Sequence, residues 1–166
     1  MTLPQHVRDG RSTVQDFDLA AEERWLDVQE LLARGHGTGA VYLAGYVAEF
    51  LLKSAVLRFD GAPPYAEVYP RLGPLKKWAA KTLPGLPFTN YHDVWFWAHV
   101  LRKKRADQGR PLDAPVAQNL MRTAYRVSRR WSVELRYFGF EVATASARSV
   151  FEDVAWIKKS HPTLWR

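Results

Sequence analysis

The pattern of apolar positions predicts an all-helical chain. Apolar residues recur at spacings of three and four, which is typical of one buried helix face, and no segment sustains the alternation of a strand. The fold class that follows is all-α: an up-and-down helical bundle of four to five main helices with short additional pieces. Helices are predicted over residues 16–33, 39–59, 74–81, 91–106, 115–137 and 143–159.

Capping residues and prolines set the predicted boundaries. Thr38 is the expected N-cap of the second helix, Thr89 or Asn90 caps the helix over 91–106, and Asp113 caps the helix over 115–137. Residues 1–15, which contain proline and glycine, are predicted to form a flexible leader, and residues 16–166 a single domain.

The second helix is predicted to lie at the centre of the bundle, because it is apolar almost all the way round. Tyr42, Tyr46, Glu49 and Lys53 nevertheless follow one another at steps of four, three and four, so they form a polar seam on one face. Buried charges must be paired. We therefore favour a structural ion pair, in which Glu49 binds Lys53 or an arginine such as Arg136. A nucleotide pocket and a contact with a second copy are the alternatives.

Composition limits the classes of function. The chain has 166 residues, 47% of them apolar, and no cysteine, which excludes disulfides, zinc–thiolate sites and cysteine nucleophiles. Residues 1–11 contain no apolar signal segment, and Glu49 and Lys53 interrupt the longest apolar run. A cytoplasmic location without a membrane span is the expectation.

Positive charge points to an anionic partner, with a solvated basic surface as the alternative. The net charge is +7, and Arg122, Arg126, Arg129 and Arg136 are predicted to share one face of the helix over 115–137. Guanidinium groups present planar forks of donors that suit phosphate oxygens. This row is the candidate site for RNA or a nucleotide.

Histidines provide few candidates for catalysis. His92 and His99 lie seven residues apart, about 10 Å along a helix, which is too far for two ligands of one metal. No metal site and no cofactor is predicted. His92, His99 and Arg136 are the only catalytic candidates.

Three segments together resemble the HEPN domain family. The run Tyr42-Leu-Ala-Gly-Tyr-Val-Ala-Glu-Phe-Leu-Leu-Lys-Ser54 is similar to the signature of the family's second helix. His92-Asp93-Val94 resembles the start of a later helix, and Trp131-Ser-Val-Glu-Leu-Arg-Tyr137 resembles the Trp-x-x-x-x-Arg-Tyr segment. The resemblance implies a helical bundle that commonly dimerises and acts in bacterial toxin–antitoxin, phage-defence or RNA-processing systems.

Active HEPN proteins are metal-independent ribonucleases with an Arg-x(4–6)-His motif, and this chain departs from them. No histidine follows Arg136 at that spacing. The resemblance therefore implies a non-catalytic module that binds RNA or a nucleotide. Two alternatives remain open: a protein–protein or dimerisation module that uses the aromatic run over 94–97, and an atypical ribonuclease that uses Arg136 with His92 or His99.

Overall fold

The computed structural model describes residues 11–86, 88, 90–137, 139 and 141–166. These residues form six α-helices and one short 3₁₀ helix, and they contain no strand beyond an isolated bridge between Thr13 and Glu67. The predicted all-α class is confirmed. The helices are α1 (Val14–Ala33), α2 (Gly37–Phe59), α3 (Tyr69–Thr82), α4 (Val94–Asp107), α5 (Ala114–Ser128) and α6 (Thr144–Trp165), and the 3₁₀ helix is Val133–Tyr137.

Helix α2 is the central element of the bundle. It packs against α1, α4, α5 and α6 and against the 3₁₀ helix. Among the described residues, α2 is the one helix long and apolar enough to cross a membrane, but 78% of its apolar window is buried by the surrounding chain. That burial is consistent with the core helix of a soluble protein.

Several boundaries differ from the prediction because other side chains provide the caps. Helix α1 begins at Val14, where Thr13 and Asp16 form a capping box. Asp93, rather than Asn90, caps α4 by accepting a bond from the backbone N–H of Phe96 at 3.0 Å. Thr89 and the leader residues 1–10 lie outside the described residues.

The start of α2 and the end of α6 also differ from the prediction. Thr38 is not the N-cap of α2, because it lies inside the first turn and its hydroxyl accepts a hydrogen bond from the backbone N–H of Val142 at 2.9 Å. Asp113 does occupy the N-cap position of α5. Helix α6 continues through Pro162 to Trp165, beyond the predicted end at residue 159.

The largest error concerns α5, which ends at Ser128 and does not reach residue 137. Trp131 explains the break. Its indole turns back into the bundle, donates to the carbonyl of Tyr42 at 2.9 Å and packs on Gly45, which leaves room because it has no Cβ. Arg136 consequently lies on the separate 3₁₀ helix and is not part of the α5 row. Phe138, which follows the predicted helix over 115–137, lies outside the described residues.

The aromatic run over 94–97 belongs to the core. Val94, Phe96 and Trp97 are at most 1% exposed, and the Trp97 indole donates to the carbonyl of Tyr91 at 2.8 Å. Three of the four side chains are therefore inaccessible to a partner, and the prediction that this run forms a protein–protein contact surface was wrong. Trp95 alone is partly exposed.

Candidate functional site

The polar seam of α2 contains a buried ion pair. Lys53 Nζ lies 2.5 Å from Glu49 Oε1, and the two side chains are 4% and 2% exposed. The ammonium group also lies 5.8 Å from the ring centre of Phe17 and 5.5 Å from that of Trp97. Opposite charge and aromatic faces together offset the loss of hydration that burial imposes on both groups.

His92 is the third member of this cluster. Its Nδ1 lies 3.0 Å from Glu49 Oε2, so the two carboxylate oxygens of Glu49 are divided between Lys53 and His92. A carboxylate only accepts hydrogen bonds, so Nδ1 must carry the hydrogen in this contact. The lone pair of a neutral His92 is then on Nε2. The side chain is 43% exposed and bridges the buried pair and the surface.

The tyrosine end of the seam lies beside this cluster. The hydroxyls of Tyr42 and Tyr46 are 3.3 Å apart, and the Tyr46 ring meets Trp131 edge-on at 5.4 Å. Burial raises the pKa of Tyr46, and the hydrogen bond with Tyr42 raises it further. Tyr46 therefore stays protonated at neutral pH and keeps its donor.

Arg136 does not bind Glu49. It is exposed on the 3₁₀ helix, and its guanidinium lies 4.7 Å from the ring centre of Tyr137. Tyr137 is the main cause of a raised pKa at Arg136, with a smaller contribution from Tyr42. The alternative pairing of Glu49 with Arg136 was wrong, because Lys53 and His92 occupy the carboxylate.

A surface cavity of about 390 Å³ opens where α4, α5 and the segment after α5 meet. His92 lies just before α4 and Trp95 in its first turn, and Tyr125 and Arg129 lie at the end of α5. We call this the His92–Arg129 cavity. Its lining residues are Asn90, His92, Asp93, Val94, Trp95, Tyr125, Ser128, Arg129, Trp131, Ser132, Val133 and Glu134.

The cavity combines ring surfaces with a cationic group. Tyr125 is 51% exposed and meets Trp95 edge-on with ring centres 5.3 Å apart. Arg129 is exposed at the C-cap of α5, and among the described residues no carboxylate forms an ion pair with it. A guanidinium without an acidic partner beside exposed rings can bind a phosphate while a base stacks.

The structure separates the predicted arginine row. Arg126 forms a bidentate ion pair with the buried carboxylate of Asp153 on α6, with Nε 3.0 Å from Oδ2. Arg122 binds the side-chain amide oxygen of Asn119. Arg129 alone of the four lines the His92–Arg129 cavity.

His99 has a packing role on α4. Its ring meets that of Trp95 edge-on at 4.4 Å, and its buried Nε2 has no hydrogen-bond partner among the described residues. Burial lowers the pKa of His99, and the charge of Arg102 lowers it further. His99 is thus neutral at pH 7. It packs against Trp95 and is not part of the cavity lining.

Sequence reasoning identified His92 and Arg129 but did not place them together. It missed Trp95 and Tyr125 as cavity walls, although Tyr125 precedes Arg129 by four residues and Trp95 follows His92 by three. The spacing of four puts Tyr125 on the same side of α5 as Arg129, whereas His92 lies before α4, so helical spacing does not relate it to Trp95. The side chains of the described segments form no cluster of three or more metal-ligand residues.

Comparisons with protein-family models, with curated proteins and with solved structures found no match to this chain.

Proposed function

We propose that the chain is a cytoplasmic HEPN-like helical module that binds single-stranded RNA or a nucleotide in the His92–Arg129 cavity. One observation carries the proposal: an arginine without an acidic partner and two partly exposed rings line one cavity of about 390 Å³. Phosphate binding by a cation combined with stacking on rings is how proteins recognise unpaired nucleotides. The net charge of +7 favours the same partner.

The family resemblance supports a wider context for this activity. Residues 42–54, 92–94 and 131–137 carry the resemblance, and the structure brings parts of all three segments to the cavity or its supporting cluster. We extend the proposal accordingly to a homodimer that acts in a toxin–antitoxin or phage-defence system. A dimer would bring two such cavities into one assembly.

Replacing Arg129 by alanine is expected to weaken binding of a short fluorescent single-stranded RNA about tenfold, because one cation–phosphate contact is lost. The slope of log affinity against log salt should fall by about one. Fluorescence anisotropy across a salt series measures both quantities.

Arg148→Ala is the matched control for this measurement. Arg148 is also exposed and the variant removes the same charge, but the residue lies on α6 away from the cavity lining. Equal weakening by the two variants would mean that only net charge matters, and the cavity would lose its role. An unchanged affinity in Arg129→Ala would also contradict the proposal.

A second function is favoured by one specific contact, that between His92 and Glu49. The carboxylate holds His92 with its hydrogen on Nδ1, which leaves the Nε2 lone pair to accept the proton of a ribose 2′-OH. The freed oxygen would attack the adjacent phosphorus and displace the 5′ oxygen, which takes a proton from water. Arg129 would stabilise the charge on the phosphate. This chemistry describes an atypical metal-independent ribonuclease.

His92→Ala tests the ribonuclease directly. Cleavage of a single-stranded RNA in excess EDTA is expected to fall at least about a hundredfold, because the general base is removed. His36→Ala is the control, since His36 is exposed before α2 and makes no side-chain cap bond. Wild-type protein that binds RNA without cutting it would leave the binding function standing and eliminate the ribonuclease.

A further inference from the structure

A second cavity lies nearer the N-terminus of α5 than the first. It has a volume of about 400 Å³ and is formed by the first half of α5 together with Trp156 of α6. Arg122 provides its cation and Trp156 its aromatic ring. We call it the Arg122–Trp156 cavity. Its lining residues are Pro115, Val116, Gln118, Asn119, Arg122 and Trp156.

An exposed stripe on α5 connects the two cavities. Gln118, Arg122, Tyr125 and Arg129 follow one another at steps of four, three and four, so they lie on one helix face. All four are exposed. Arg122 belongs to the second cavity, and Tyr125 and Arg129 belong to the first. A ligand lying along this face would therefore meet polar groups at both ends and a ring between them.

The spacing of the two arginines suits a polymer. Seven residues of α-helix separate Arg122 from Arg129, which corresponds to about 10 Å along the axis. A stacked strand advances about 3.4 Å per nucleotide, so this separation spans about three nucleotides. A nucleoside monophosphate carries only one phosphate, so it cannot place a separate phosphate at each guanidinium group.

The partners of Arg122 leave it able to bind phosphate. Its guanidinium bonds to the neutral amide of Asn119, and no described carboxylate pairs with it. Arg126, one residue beyond Tyr125, is instead held by the buried Asp153 and faces α6. The arginines of α5 and its C-cap that have no described carboxylate partner are thus Arg122 and Arg129, and one lines each cavity.

We propose that the two cavities are subsites for one single-stranded nucleic acid chain of at least three to four nucleotides, with phosphates about three nucleotides apart at Arg129 and Arg122. This inference rests on the proposed function and deepens it, because it assigns a polymer rather than a free nucleotide as ligand. Tyr125 provides the ring between the subsites, and Trp156 the ring beyond Arg122.

The test compares ligand lengths in the full chain. Affinities are measured for uridine monophosphate and for oligouridylates of two, four and six nucleotides, with the wild type, Arg122→Ala and Arg148→Ala. Affinity is expected to rise at least tenfold between one and four nucleotides. Arg122→Ala should weaken four-nucleotide binding about tenfold and leave mononucleotide binding unchanged. Deoxyuridylates of the same lengths show whether the 2′-OH contributes.

The outcomes separate the two proposals. If affinity does not depend on length, or if Arg122→Ala weakens the mononucleotide and the tetranucleotide equally, the second subsite is wrong while binding at the His92–Arg129 cavity stands. If Arg148→Ala matches Arg122→Ala at every length, the effect is net charge and the subsite also falls. If no ligand of any length binds, both proposals fail together.

Discussion

Replacing Lys53 by methionine is expected to lower the free energy of unfolding by about 3–5 kcal/mol at pH 7, because the buried Glu49 carboxylate loses the ammonium group with which it pairs. Methionine fills a similar volume, so the loss comes from charge and not from a cavity. Glu49 is 1% exposed, and Lys53 and His92 hold its two oxygens. Without the ammonium group, only the partly exposed His92 remains to compensate the carboxylate. Urea denaturation followed by circular dichroism measures the change.

Lys103→Met is the matched control for this stability measurement. Lys103 also pairs with an acid four residues away, Asp107, but these side chains are 36% and 38% exposed. Water screens such a pair, so the control should change stability by less than about 1 kcal/mol. The double variant Glu49→Leu with Lys53→Met removes both charges and should recover most of the loss. A Lys53→Met variant as stable as the control would show that the pair is unimportant.

Replacing Gly45 by alanine is the second large effect, and it acts on both fold and cavity. An added Cβ would lie 2.0 Å from a ring atom of Trp131, closer than any real contact, so the indole must move. Overpacking of this kind costs about 1–3 kcal/mol. Trp131 also lines the His92–Arg129 cavity. We therefore expect RNA affinity to fall together with the melting temperature.

Gly73→Ala is the corresponding control. Gly73 lies within α3, and an added Cβ would meet nothing within 4 Å. Alanine is the better helix former, but a Cβ directly before Pro74 disfavours the helical backbone, so this variant should change stability by less than about 1 kcal/mol. The total tryptophan fluorescence, to which Trp131 contributes as one of seven indoles, should shift in Gly45→Ala and stay constant in Gly73→Ala. Equal stability changes in the two variants would contradict the close packing of Trp131 on α2.

The helical fold and the central place of α2 could be predicted because they depend on local periodicity. Apolar residues around the whole circumference of α2 require burial on all sides, whatever its neighbours are. The seam could be recognised for the same reason, since Glu49 and Lys53 lie four residues apart on one helix. Their pairing requires no knowledge of the rest of the chain.

The parts that failed depend on contacts between distant segments. Helix α5 ends at Ser128 because the Trp131 indole packs over Gly45 and donates a hydrogen bond to the carbonyl of Tyr42. Helical periodicity predicts neither contact. The pairing of Arg126 with Asp153, 27 residues away, likewise removes one cation from a row that spacing alone made uniform. His92 reaches Glu49 across 43 residues, so the link between seam and cavity could not be foreseen.

Photo-crosslinking tests the central claim most directly, namely that single-stranded RNA lies in the His92–Arg129 cavity. A short oligonucleotide carrying 4-thiouridine is irradiated with the full chain, and the attached peptides are identified by mass spectrometry. The expected crosslinks fall within residues 90–95 and 125–134, foremost at the exposed ring of Tyr125 and the partly exposed ring of Trp95. Crosslinks confined to another basic part of the surface, such as residues 102–104 of α4, would contradict the account, as would the absence of any complex.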